Sequence, residues 1–354
     1  MGGRPLAVVA MSGGVDSSVA AALLLEAGYG VEGVSLRLWD SSRRDDRVCS
    51  DHRDASRVAG ALGIAHTQID QRQAFESVIV EPFVAEYARG RTPNPCVACN
   101  GDFKLGRLVD WAVRRGADFV ATGHYARLQP TAAGVALCRA RDSSRDQSYF
   151  LFSLAPRQLA RALFPLGDWT KADVRRRAAA LGLPVAAKPD SQDLCFGNPG
   201  ALVRSRGMGG GRGEIVDEAG HTLGLHDGIE SFTVGQRRGL GVATGARMFV
   251  RSLDAREGRV VVGPNPPRVA AVVASGWSWT GEPADRHERL FAQVRYRHRP
   301  ASARVSLEGA GRARVDFDEP VLAAAPGQAV VVYRGDQVVG GGWIAATIRP
   351  DEAA

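Results

Sequence analysis

The chain has 354 residues, 45% hydrophobic and 23% charged, which is the composition of a soluble globular protein too long for one core, so two or three domains are expected. No run of about 18 apolar residues exists, and the N-terminus lacks a charged-then-apolar signal layout, which predicts a cytoplasmic protein with no membrane association. The net charge of +7 favours a polyanionic partner, but 42 of the 45 basic residues are arginine, so local placement must carry that argument.

The apolar run Leu6–Met11 predicts a first strand, and Ser17–Ala27, closed by Gly28, an amphipathic helix. Between them lies Ser12-Gly13-Gly14-Val15-Asp16-Ser17. Adjacent glycines let backbone N–H groups approach an anion closely, and the following helix N-terminus adds a favourable dipole, so the turn is built to hold phosphate. It lacks the Gly-Lys-Ser/Thr ending of a Walker A loop, which turns the reading away from ordinary γ-phosphate chemistry. Simple helix capping by Asp16 and Ser17 is the plainer alternative. Val31–Leu38 then reads as a strand, Arg53–Leu62 as a helix closed by Gly63, and His66–Ile69 as a strand. A helix over about 75–88 follows. Phe103, Leu105, Leu108, Val109, Ala112 and Val113 predict a helix over Phe103–Arg115, and Phe119–Thr122 a further strand. This alternation predicts a doubly wound parallel sheet, with ligands at the C-terminal strand ends where Ser12–Ser17 and Gly123-His124-Tyr125 both fall.

The five cysteines, Cys49, Cys96, Cys99, Cys138 and Cys195, are odd in number and unevenly spaced, which argues for reduced thiols rather than a disulfide framework. Pro93 and Pro95 make Arg91–Asn100 a loop ending at the Phe103 helix. The helix dipole and Lys104 predict a lowered pKa for one or both of Cys96 and Cys99. Cys195 lies in a second polar loop, Lys188–Phe196. Three uses compete for these thiols: a zinc site, which lacks a fourth ligand; an iron–sulfur cluster on Cys96, Cys99 and Cys195; and a redox pair handling persulfide sulfur, the leading reading. Cys49 and Cys138 read as structural.

After about residue 200 the pattern changes to glycine-rich turns between short strands. Gly207–Gly213 reads as a flexible connection. Glu214–Val216, Glu230–Val234, Arg247–Leu253 and Arg259–Val262 predict a small barrel, and Pro264, Pro266 and Pro267 a boundary. Ala270–Ala274, Arg289–Tyr296, Ala303–Leu307, Ala313–Phe317, Ala329–Tyr333 and Gln337–Ile344 predict a second all-β unit. The expected domains are therefore 1–200, 201–265 and 266–354. Arg237-Arg238 and the Arg295–Arg299 run, with Tyr296 interleaved, can bind phosphates or form merely solvated faces.

The Ser12–Ser17 stretch resembles the PP-loop of ATP pyrophosphatases, which break ATP between its α and β phosphates. Read with Thr92-Pro93-Asn94-Pro95-Cys96-x2-Cys99-Asn100, Thr122-Gly123-His124-Tyr125, Asp146-Gln147-Ser148-Tyr149, Asp190-Ser191-Gln192-Asp193-x-Cys195-Phe196 and Gly235-Gln236-Arg237-Arg238-Gly239-Leu240-Gly241, it resembles the tRNA-specific 2-thiouridylase family from about residue 5 to 347. The resemblance implies ATP-dependent adenylation of the C2 oxygen of the wobble uridine, position 34, and its replacement by persulfide sulfur, with release of AMP and pyrophosphate. It implies Cys195 as persulfide carrier and Cys99 as the nucleophile paired with it. ATP would meet Ala10, Met11, Ser12, Gly13, Gly14, Val15, Asp16, Ser17, Leu36 and Gly123, with Mg²⁺ on its phosphates. The tRNA would meet Asn94, Pro95, Cys96, His124, Arg145, Asp146, Gln147, Arg295, Tyr296 and Gln328. A sulfur-donor protein, either a cysteine desulfurase or a relay carrier, is implied as partner, and a monomer is expected. Taken alone, Leu36 reads as core, Gly123 as a point of nucleotide approach with a plain turn glycine as the alternative, His124 as satisfied packing, and Asp16 equally as metal-proximal or capping.

The chain departs from some members in carrying Cys96 where an aspartate can stand and Arg145 where lysine can occur. Its Gly197–Gly213 segment is short and glycine-rich beside the family's usual helical stretch. Another PP-loop enzyme, such as an amide-forming ligase or a tRNA cytidine thiolase, and a non-catalytic RNA-binding or sulfur-carrier protein are the alternatives.

Overall fold

Strands and helices alternate through the first third of the chain as their patterning dictates. A computed structural model describes residues 3–39, 46–132, 134–190 and 194–352, without the side chains of 46–51. The chain forms two units, one of residues 1–78, 96–196 and 336–338, the other of 79–95, 197–335 and 339–354.

In the first unit β1 (Leu6–Ala10), α1 (Val15–Glu26), β2 (Gly30–Arg37), α2 (Asp46–Leu62) and β3 (Ala65–Asp70) follow in order, then α3 (Leu108–Arg114) and β4 (Phe119–Ala121). The hairpin β5 (Arg127–Thr131) and β6 (Gly134–Cys138), β7 (Ala162–Leu163) and α4 (Lys171–Ala180) come later in the same unit. The sheet runs β3-β2-β1-β4-β7, with neighbouring strands parallel throughout. Val9 pairs with Gly33 on one side and Ala121 on the other, so the strand order reverses at β1, where this fold opens its ligand crevice.

Helix α1 departs from its amphipathic expectation. Val15, Val19, Ala20, Ala21, Ala22 and Leu24 are all buried, because α1 packs among Val58 and Ala59 of α2, Val174 and Ala178 of α4, and the sheet. A helix covered on most of its circumference has little reason for a polar face. Each buried Val or Leu there contributes about 1.5–3 kcal/mol.

The expected loop over 91–100 is shorter than predicted. Pro95–Ala98 is a helical turn that runs into a π-helix, Cys99–Arg107. Proline at the first helical position loses no hydrogen bond, so Pro95 starts a helix instead of excluding one. The hairpin β5–β6, β7 and α4 carried no sequence expectation. Thr170 caps α4, its Oγ1 accepting from Asp173 N–H at 3.2 Å.

The second unit holds α5 (Pro199–Ser205) and a four-stranded sheet in the order β10-β11-β8-β9, formed by β8 (Gly213–Val216), β9 (Thr222–His226), β10 (Phe249–Asp254) and β11 (Arg259–Gly263). Its core is Ile215, Ile229, Phe232, Val250, Val260 and Val262. The strand expected at Glu230–Val234 is instead a 3₁₀ turn, Ile229–Ser231, and β9 takes a place in the sheet. Glu230 is turned inward there, accepting Gly210 N–H at 3.2 Å and facing Arg204 at 3.5 Å.

The remainder forms a closed barrel. Strands β12 (Arg268–Trp279), β13 (Leu290–Gln293), β14 (Ala301–Gly309), β15 (Arg312–Leu322), β16 (Ala329–Arg334) and β17 (Gln337–Ile348) run β12-β15-β14-β13-β16-β17, and β12 pairs with β17 to close the ring. Val272, Val305, Val315, Val330, Val332 and Ile344 alternate into its interior. Closure removes the exposed edges that an open sheet would carry. Among the described residues no helix is long and apolar enough to cross a membrane.

Candidate nucleotide and sulfur site

At the end of β1 the chain turns through Gly13, at φ +69°, into α1, whose N-cap is Gly14. No side chain caps this helix. Ser17 and Ser18 instead donate their hydroxyls to Gly14 O at 3.2 and 2.8 Å, and Ser12 N–H donates to Ser17 Oγ at 3.2 Å. The serines fix the loop from within and leave the first-turn amides of α1 to an external anion. Capping by Asp16 or Ser17 is therefore not what the segment does.

Gly123 follows β4 and lies against this loop. A Cβ at that position would come within 2.6 Å of Ser17 N and 2.8 Å of Asp16 C. Only glycine lets β4 and the start of α1 approach so closely. On the other flank, Ser35 Oγ donates to Met11 O at 2.7 Å and meets His66 Nε2 at 2.9 Å, while Leu36 is next along β2.

Asp16 points from the first turn of α1 into a charged cluster. Its Oδ1 accepts Tyr125 OH at 2.8 Å, and Lys171 Nζ lies 2.8 Å from both of its oxygens. Lys171 Nζ also reaches Asp190 Oδ1 at 2.8 Å, and Asp190 is further paired with Arg145 at 2.9 Å and Arg175 at 2.8 Å. Lost solvation raises the Asp190 carboxyl, but the Lys171 hydrogen bond and the three cations outweigh it and hold the group below the usual carboxylate range. Burial first, then the Asp16 carboxylate, pushes the Tyr125 hydroxyl up. Lys188 Nζ donates to Gly13 O at 3.1 Å and pairs with Asp54 at 2.8 Å, under the same loop.

The thiols gather in this unit. Cys96, Cys99 and Cys195 all lie in it as reduced thiols, and Cys99 and then Cys96 act on Cys195. Lys104 acts on all three. An α-helix would set Lys104 on a different face from Cys99, whereas the i→i+5 turn of the π-helix brings residues 99 and 104 onto neighbouring faces. Gln158 supports that turn by donating to Gly101 O at 2.8 Å and Leu105 O at 2.7 Å. The thiols are not lowered as expected. Burial pushes Cys96 and Cys99 up more than Lys104 pulls them down. Cys195 keeps an exposed surface, yet its thiol is also raised, by lost solvation and then by Cys99.

Cys195 is followed by Phe196, which packs on Phe75 at 6.0 Å and Trp39 at 6.3 Å; Phe75 in turn meets Phe103 of the π-helix at 5.6 Å. Ser191, Gln192 and Asp193 lie outside the described residues, as does the Cys49 side chain. Cys138 is buried, its Sγ 3.5 Å from Gln129 Oε1. Among the described residues no three His, Cys, Asp or Glu side chains are grouped as metal ligands.

The residues expected to meet RNA divide by environment. Arg145 is half-exposed beside Asp190. Asp146 is occupied: it pairs with Arg139 at 3.2 Å and accepts from Ala140 N–H at 3.0 Å and Ser148 Oγ at 2.9 Å. Gln147 Oε1 accepts Tyr125 N–H at 2.9 Å. His124 is buried, its Nδ1 2.7 Å from Thr122 Oγ1 and its ring edge-on to Phe164; burial and then Lys104 bring its pKa down to about 3, so the imidazole is neutral. In the second unit Gln328 Nε2 donates to Thr92 O at 2.6 Å and Thr92 N–H to Pro326 O at 2.9 Å, so the Gln328 turn holds the segment leading to Asn94 and Pro95. Arg295 is exposed beyond the end of β13, and Arg297 stacks over Tyr296 at 5.4 Å.

Sequence reasoning missed Lys171, Lys188 and Gln158, and gave Tyr125 no role. One signal was present. The chain has only three lysines against 42 arginines, and all three stand at this site.

Three family models match the chain: the tRNA methyl transferase HUP domain over residues 6–198, the tRNA methyl transferase PRC-barrel domain over 205–264 and the aminomethyltransferase beta-barrel domain over 269–344. Among curated relatives, the tRNA-specific 2-thiouridylase MnmA of Geobacter metallireducens is 46% identical over 98% of this chain and 98% of its own length. The proteins of that name from Acidithiobacillus ferrooxidans (44%; 96% of this chain, 98% of its own length) and Syntrophotalea carbinolica (46%; 96% and 98%) are similarly close.

Proposed function

The chain belongs to the tRNA-specific 2-thiouridylase family, and on that premise we propose how its residues make 2-thiouridine in tRNA. The protein is a tRNA thiolation enzyme, and its finer class is tRNA-uridine 2-sulfurtransferase. The three parts 1–200, 201–265 and 266–354 divide the work, the first carrying the chemistry. A cytoplasmic monomer served by a cysteine desulfurase or relay carrier is the form we infer.

The chemical problem is a poor leaving group, the C2 oxygen of uracil. ATP binds with its phosphates on the first-turn amides of α1 and its adenine toward Leu36, because the uncapped helix start and the Gly13–Gly14 turn suit a polyphosphate. Mg²⁺ would neutralise phosphate charge, and Asp16, whose oxygens already hold Lys171 and Tyr125, is the one carboxylate of the loop that could face it. The C2 oxygen attacks the α-phosphorus, pyrophosphate departs, and the oxygen becomes part of AMP. Sulfur then displaces AMP. Either the terminal sulfur on Cys195 attacks C2 and Cys99 resolves the adduct, or Cys99 attacks the persulfide and frees hydrosulfide; both leave a Cys99–Cys195 disulfide for external reduction. Asn94, Pro95, Cys96, His124, Arg145, Arg295, Tyr296 and Gln328 are the proposed tRNA contacts, with Asp146 and Gln147 beside them. Asp146 and Gln147 act through the loop they brace, and neutral His124 acts as a hydrogen-bonding group rather than a cation.

The observation that carries this reading is the presence, in one α/β unit, of a glycine turn leading into an uncapped helix and of three thiols, Cys96, Cys99 and Cys195. Incubation with unmodified tRNA, ATP and a persulfide source, followed by mass spectrometry of nucleosides, is expected to give 2-thiouridine at position 34 together with AMP and pyrophosphate. Product formed without ATP, or ATP consumed with no thiolated nucleoside, would overturn it. Iron content and visible absorbance after anaerobic purification separate persulfide transfer from an iron–sulfur route on Cys96, Cys99 and Cys195.

A further inference from the structure

We propose that Lys171 is a positioning residue that ties the nucleotide loop to the segment carrying Cys195, so that adenylation and sulfur delivery meet on one base. The inference rests on the thiolation reading above and names a residue which that reading does not use. Lys171 opens α4 and is buried, and its single ammonium is shared among three carboxylate oxygens, Oδ1 and Oδ2 of Asp16 and Oδ1 of Asp190, each at 2.8 Å. Asp16 stands in the first turn behind the phosphate loop. Asp190 begins the stretch that ends in Cys195 and Phe196.

Asp190 is held by charge, and Phe196, next to Cys195, by aromatic packing on Phe75 and Trp39. Arg145 and Arg175 also grip Asp190. Lys171 bonds both carboxylates at once and so links the two segments. The residue type suits this role, because an ammonium directs three donors from one atom, whereas a planar guanidinium spreads its donors over a fork. In a chain that uses arginine 42 times, lysine at this point is a chemical choice.

Severing the link leaves the loop able to bind ATP and the thiols intact but misplaces one relative to the other. Adenylated uridine then waits for sulfur, and water takes its place at C2, restoring the oxygen and releasing AMP. The net change is ATP and water converted to AMP and pyrophosphate, with the tRNA unaltered.

The test measures AMP and 2-thiouridine in the same reaction of the full chain with tRNA, ATP and a persulfide source. The wild type is expected to release about one AMP per thiolated uridine, and Lys171→Met about tenfold more or beyond, with tRNA-dependent AMP release persisting. Asp190→Asn, nearly isosteric, weakens the tie from the other end and is expected to raise the ratio in the same direction. It decides the matter if Lys171→Met does not fold. A merely structural role would lower both products together, so an unchanged ratio in the folded variants overturns the proposal. A wild type that forms no 2-thiouridine defeats the thiolation reading itself.

Discussion

Replacing Gly123 by alanine adds one methyl group where β4 meets the start of α1. That methyl would sit 2.6 Å from Ser17 N, 2.8 Å from Asp16 C and 3.0 Å from Ser17 Cα, all backbone atoms, whereas ordinary contact for a Cβ begins at 3.4 Å. No flexible side chain can swing aside, so the helix start and the strand end must separate by about 0.8 Å, the difference between 3.4 and 2.6 Å. Overpacking of this kind costs about 1–3 kcal/mol of stability. The methyl also crowds the Ser17 amide, one of the donors left open for phosphate. Loss of one hydrogen bond to a charged group costs about 1.5–3 kcal/mol, or about a 10- to 150-fold weaker Kd for ATP. Calorimetric titration with ATP and urea denaturation measure the two effects. Gly60→Ala is the control, since it makes the same chemical change within α2 with nothing within 4 Å, and is expected to leave ATP binding alone and stabilise by about 0.5–1 kcal/mol. A Gly123→Ala protein with wild-type Kd and midpoint would refute the close-approach argument.

Cys99→Ser and Cys195→Ser are each expected to abolish sulfur incorporation, while Cys138→Ser retains it; nucleoside mass spectrometry reads all three. Because burial raises the Cys99 thiol, its alkylation by iodoacetamide is expected to be slow near neutrality and to accelerate as pH rises past the ordinary thiol range, as peptide mapping will show. His124 is depressed from 6.5 to about 3, so the stability it supports is present above pH 6.5 and lost as pH falls toward 3. Relative to His124→Asn, the wild type is expected to lose on the order of a few kcal/mol across that window in pH-dependent urea melts. A Cβ on Gly106 would come within 2.6 Å of Gly101 O across the π turn, so Gly106→Ala is expected to cost about 1–3 kcal/mol and to slow thiolation by displacing Cys99 from Lys104, measured by denaturation and single-turnover assay.

The motifs make most of the chemistry legible early. Glycines at 13 and 14 between an apolar run and a helical one predict the tight turn that the structure shows there, and the spacing of Cys96 and Cys99 marks a pair of thiols beside a helix start. Short-range rules fail where burial decides. Helix α1 reads as amphipathic because its neighbours α2 and α4 are remote in sequence, and Glu230–Val234 as a strand because alternation cannot reveal that Glu230 turns inward to Gly210 and Arg204.

The amino-acid order determined the parallel sheet and the tight glycine turn at the end of its first strand, since each follows from local periodicity and glycine freedom. Only the tertiary structure decided the direction in which burial shifts the thiols, the neutrality of His124 and the joining of Asp16 to Asp190 through Lys171. Desolvation and long-range ion pairing depend on which distant segments exclude water together, and no single stretch of chain encodes that.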